Sequence, residues 1–113
     1  MKTTLSAVLI LTLAMPLSWA AIEHEIDTMT TFAVMLGRSI GCAHDTDTSA
    51  QKIGTWLDRH FPPKSSDQKT YLPIFMQGVS MNMKAQMAGE SPDSCSKVKA
   101  FFQSPEFLRV VRQ

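Results

Sequence analysis

Sulfur is where this chain could do chemistry. Its 113 residues hold two cysteines, Cys42 and Cys95, and eight methionines, six of them beyond residue 20: Met29, Met35, Met76, Met81, Met83 and Met87. Two cysteines permit one intramolecular disulfide, and in an oxidising compartment an even count reads as a bridge. Thioethers are soft ligands that suit Cu(I). Met83 and Met87 fall one helical turn apart and could share an ion, whereas Met81 lies about 200° around the helix from Met83. A structural reading competes. Met76, Met83 and Met87 continue a stripe with Leu72 and Val79, and methionine fills irregular gaps in cores well. The core reading is preferred, with no metal site expected and Met83 and Met87 as the alternative ligands.

Nothing else points to catalysis. The chain has no Gly-x-Ser-x-Gly elbow, no His-Glu-x-x-His, no phosphate-binding glycine loop and no Cys-x-x-Cys. His24, His44 and His60 are far apart in sequence. His24, among Glu23, Glu25 and Asp27, reads as part of a solvated first turn, since acids favour helix N-termini. A nucleophile built from Cys42 and His44 would need Cys42 reduced. The expectation is a non-enzyme without a cofactor.

Residues 1–20, MKTTLSAVLILTLAMPLSWA, supply the compartment. Lys2 gives a positive start. Leu5 to Ala14 is an apolar run of signal-peptide length, too short to span a bilayer comfortably. Ser18 and Ala20 place small residues at −3 and −1 of a cleavage site. The reading is a signal peptide over 1–20, cleavage near Ala20, and a single helical domain over 21–113, periplasmic or secreted. Removing Lys2 leaves ten basic against ten acidic residues. A near-neutral domain without a basic cluster is poorly suited to nucleic acid or anionic membrane surfaces. No second apolar run reaches transmembrane length, so no stable membrane insertion is expected.

Helical spacing organises the rest. Ile22, Ile26, Met29, Ala33, Leu36 and Ile40 recur at alternating gaps of four and three, one stripe of an amphipathic helix widened by Phe32 and Met35. Gly37 and Gly41 near its end predict a closely crossing neighbour, or a role for Gly41 in ending the helix. Thr48 and Gln51 form a capping-box pattern before Ile53, Trp56, Leu57 and Phe61. A third helix carries Leu72, Phe75, Met76, Val79, Met83 and Met87 as its inner stripe; Thr70 is the preferred N-cap, which puts Pro73 in the first turn, and the alternative is a cap at Ser65 or Ser66 with Pro73 inside the helix and kinking it. Ser91-Pro92-Asp93 reads as the opening of a fourth helix with Cys95, Val98, Phe101 and Phe102 on its inner face. Ser104-Pro105-Glu106 opens a short last helix.

The fold class that follows is all-α: a compact bundle of four to five short helices stapled by one disulfide, sequential helices being neighbours. The bridge would close most of the domain into one loop, worth up to about 4 kcal/mol by chain-entropy arguments. So many large side chains need burial that some are expected to remain as a partner surface. Trp56, Phe107, Leu108 and Val111 are the residues offered for it, although burial in the domain's own core is the preferred reading for Trp56 and for the last helix. In size, cysteine count and helical patterning the chain is similar to the periplasmic acid-stress chaperones; this likeness of format transfers no site. The function expected is binding to another protein, as a chaperone, an inhibitor or immunity factor, or an accessory of envelope or secretion machinery. The alternative is a carrier of copper or a small ligand using methionine and histidine side chains.

Overall fold

The computed structural model describes the backbone of residues 2–113 and the side chains of residues 22–113. The signal-peptide side chains and the cleavage point near Ala20 lie outside the described side chains. Five helices follow in order: α1 (Lys2–Gly41), α2 (Asp47–His60), α3 (Ser66–Met87), α4 (Cys95–Gln103) and α5 (Pro105–Val110). No strand occurs among the described residues. The all-α fold with one Cys42–Cys95 bridge is as expected. Among the described residues no helix is long and apolar enough to cross a membrane.

The organising pair is α1 with α3, not α1 with α2. Ala33 lies against Gly78, Gly37 against Val79, Asn82 and Met83, and Gly41 against Met83 and Gln86. Contacts advance in the same direction along both helices, so α1 and α3 run parallel. The short helix α2 carries the chain back between them. Sequential helices are neighbours at α1–α2 and α4–α5, but the largest contact, α1 on α3, skips a helix for a physical reason. Gly37 and Gly41 remove the side chains that would hold two backbones apart. A Cβ on Gly41 would fall 2.7 Å from the Met83 carbonyl oxygen.

The core adjoins the α1–α3 contact and includes residues of both helices. Met29, Phe32, Ala33 and Leu36 from α1 meet Ile53, Trp56 and Leu57 from α2, with Phe61, Phe75, Phe107 and Val111 closing the cluster. Phe32 is edge-on to Trp56 at 5.0 Å and to Phe107 at 5.6 Å. Burial concentrates in the middle of the α1 stripe; its ends, Ile22 and Ile40, stay exposed.

Three helix starts differ from the sequence reading. The N-cap of α2 is Thr46, without a side-chain bond, and Asp45 Oδ1 accepts from the Asp47 N–H at 3.2 Å; the Thr48-x-x-Gln51 box is not used. The N-cap of α3 is Ser65, whose Oγ accepts from the Gln68 N–H at 3.1 Å. Thr70 is therefore interior, and Pro73 sits inside α3. Pro73 deprives the Lys69 carbonyl of a helical donor, a loss that water can cover because both residues are exposed. Ser94, not Ser91, caps α4 through the Lys97 N–H at 3.2 Å. The opening of α5 is as read: Ser104 caps, Pro105 is N1 and Glu106 lies in the first turn.

Candidate functional site

One end of the parallel pair gathers the sulfur and the charge. Helix α1 closes in a double hydrogen-bonded turn, Ala43 N–H to the Ile40 carbonyl at 2.9 Å and His44 N–H to the Ser39 carbonyl at 3.1 Å. That motif wants a left-handed residue at the position of Ala43, which has φ 58°. Gly41 thus serves the close approach rather than the stop. Helix α3 closes in the same way beside it, with Gly89 at φ 74°. The turn after α1 puts Cys42 and His44 on one side, and Cys95, the first residue of α4, comes to meet them. The Cys42–Cys95 bridge has a Cα separation of 5.7 Å.

Polar groups converge on the same corner. Arg38 Nη1 donates to Asp93 Oδ2 at 2.6 Å. Gln86 Nε2 donates to the Asp93 carbonyl at 3.1 Å and to Cys95 Sγ at 3.6 Å. Cys42, His44 and Cys95 present donor atoms that all lie within 4.8 Å of one another. His44 also lines a cleft of about 310 Å³ with Ser39, Asp45, Ser49, Lys99, Phe102 and Gln103. Composition gave the cysteines their pairing. The Arg38–Asp93 pair carries no sequence signal, because 55 residues separate its members and Asp93 reads only as part of a helix opening; His44 pairs with Cys42 in the sequence only as a nucleophile that would need a reduced thiol.

The residues assigned to a partner surface are mostly core. Trp56 and Phe107 are each 2% exposed, and Val111 is buried with them; only Leu108 is half-buried. This corrects the surface reading. Helix α5 is six residues long and is clamped beneath α1 and α4, Phe107 packing on Phe32, Phe101 and Phe102. Arg59 Nη2 donates to the Val111 carbonyl at 2.7 Å and ties its end to α2.

The opposite correction applies to α3. Of its expected inner stripe only Phe75 is buried. Val79 and Met83 are half-buried, while Leu72 is 40%, Met76 58% and Met87 70% exposed. Glycine-mediated contact turns a different face to α1, the one carrying Phe75, Gly78, Val79, Asn82 and Gln86, and packing on one side of the stripe leaves the other bare. Ile74 and Met81 are exposed further around the helix. Met83 and Met87, the alternative ligand pair, lie one turn apart, Met83 half-buried against α1 and Met87 exposed, and core filling does not account for Met87.

The chain matches no protein-family model, no curated protein and no solved structure.

Proposed function

We propose that this protein is an exported, non-enzymatic binder of another polypeptide, and that the bare stripe of α3 is its binding face. The observation that carries the reading is the exposure of Leu72, Met76 and Met87 on a helix whose adjoining face is anchored on α1. Unbranched, polarisable thioether side chains adapt to apolar partners of varied shape, which is why methionine recurs on promiscuous binding surfaces. The backing is rigid: α3 lies against α1 at glycine contact, Gln68 Nε2 hooks its first turn to the Phe61 carbonyl at 3.1 Å, and the bridge pins α4 beside its far end. Export is supported by the signal-like residues 1–20 and by a disulfide that needs an oxidising compartment to persist.

The occupant that fits is an apolar stretch of polypeptide, in the manner of a helix laid on a groove or an unfolded segment held from aggregation. The test is titration of a reduced, carboxymethylated and so permanently unfolded polypeptide, read by fluorescence anisotropy. Met76→Lys with Met87→Lys should weaken binding by about tenfold or more while far-UV circular dichroism stays unchanged, a tenfold loss being about 1.4 kcal/mol. Equal affinity in the folded double variant removes the α3 face from the function. A second reading, a thioether copper site, has one observation in its favour, the spacing of Met83 and Met87. It expects stoichiometric Cu(I) uptake that disappears in Met83→Leu with Met87→Leu.

A further inference from the structure

We infer that the disulfide corner is a redox-gated metal site: when the Cys42–Cys95 bridge is reduced, Cys42, His44 and Cys95 take a divalent, zinc-class cation, with the fourth position open. The inference is independent of the binding role of α3.

The donor set supports the assignment. Two sulfurs and one imidazole nitrogen within 4.8 Å of one another make a Cys₂His set. Zinc accepts such a set in tetrahedral geometry, with bonds of about 2.3 Å to sulfur and 2.0–2.1 Å to nitrogen. Two such Zn–S bonds place the sulfurs about 3.8 Å apart, a spacing that side-chain rotation can reach once the S–S bond is broken. The donors come from two anchored pieces of backbone. Cys42 and His44 flank the left-handed Ala43 in the turn that closes α1, and Cys95 opens α4.

The surroundings of the sulfurs favour the same assignment. Gln86 Nε2 already points an N–H at Cys95 Sγ at 3.6 Å. Cys95 also stands at the N-terminus of a nine-residue helix, where unpaired backbone N–H groups favour negative charge on sulfur. Donors of this kind, one shell out from a metal, orient its ligands and tune their basicity. Cys95 is exposed and Cys42 and His44 are half-buried, so a cation and a reductant can both arrive from solvent. The Arg38–Asp93 pair holds the loop before α4 against α1, so that opening the bridge leaves Cys95 in place.

The chemistry balances in two steps. A dithiol reductant gives two electrons and two protons to the disulfide and leaves as its own disulfide, producing two thiols. The cation then displaces both thiol protons, forming two metal–sulfur bonds, and the neutral imidazole of His44 adds its lone pair. Two protons are released per metal.

The full chain without its first 20 residues, oxidised or reduced with a phosphine and desalted anaerobically, is titrated with Zn²⁺ against a chromophoric chelator and with Co²⁺ by absorption. The expected result is no uptake by the oxidised protein. The reduced protein should bind one metal, with thiolate-to-cobalt charge-transfer and tetrahedral d–d bands and release of two protons. His44→Ala should weaken binding by more than about tenfold, since even groups outside the ligand shell cost about 10–100-fold when lost. Equal uptake by oxidised and reduced protein, or affinity unchanged in His44→Ala, overturns the assignment. Circular dichroism is recorded alongside: a reduced chain that loses helix and regains it on adding Zn²⁺ supports the site, and one that stays unfolded with Zn²⁺ overturns it.

Discussion

Arg38 and Asp93 meet at 2.6 Å although 55 residues separate them in sequence. Their side chains are 15% and 31% exposed, so the pair is neither a solvated surface bridge nor a fully buried one. It fastens the loop before α4 to the last turns of α1, next to the disulfide. Asp93→Ala should cost about 1–2 kcal/mol, between the 0–1 of exposed pairs and the 3–5 of broken buried ones. A double-mutant cycle with Arg38→Ala, read from urea midpoints, should show clear coupling. Additive effects would mean the contact contributes nothing.

The glycines of α1 and α2 should respond in opposite senses to the same change. A Cβ on Gly37 would collide with the Val79 carbonyl and lie 2.9 Å from Asn82 Cβ, so Gly37→Ala should destabilise by about 1–3 kcal/mol. Nothing lies within 4 Å of the corresponding position at Gly54, so Gly54→Ala should stabilise α2 by about 0.5–1 kcal/mol. Thermal midpoints moving in the same direction for both would contradict the close parallel packing of α1 on α3.

Removal of large side chains separates core from surface. Trp56→Ala and Phe107→Ala should each cost about 3–5 kcal/mol, enough to unfold a domain of this size at moderate temperature. Leu72→Ser, on the bare stripe, should stay within about 0.5 kcal/mol of the parent. Chemical denaturation of the three variants gives the comparison, and a stable Trp56→Ala protein would place that ring outside the core.

Caps that look alike in sequence should differ in weight. Ser104 Oγ accepts from the Phe107 N–H at 3.1 Å, and Ser104→Ala should lose about 1 kcal/mol. Thr48 makes no capping bond at the start of α2, so Thr48→Ala should be close to neutral. A loss at Thr48 equal to that at Ser104 would show that the capping box forms in solution.

Features that depend on near neighbours along the chain were legible from residue order. Apolar spacing of three and four residues marked every helix, Ser104-Pro105-Glu106 marked the start of α5, and two cysteines beside a signal-like start marked the bridge. Residue order failed where local patterns tie. Thr48, Thr70 and Ser91 all fit cap patterns, but the caps are Thr46, Ser65 and Ser94, the last two bonding the N–H groups of Gln68 and Lys97.

Which apolar face is covered depends on packing between helices far apart in sequence. The stripe of α3 reads as core, whereas Phe107, Leu108 and Val111, in and just after α5, are the residues offered as a partner surface. The first is bare and the second buried, because Gly37 and Gly41 draw the α3 backbone against α1 while α1, α2 and α4 close over Phe107. Periodicity says that a face is apolar, but only the three-dimensional arrangement of the other helices says whether anything lies on top of it. The same holds for His44, Cys42 and Cys95, which fold into one cluster because two parallel helices end side by side.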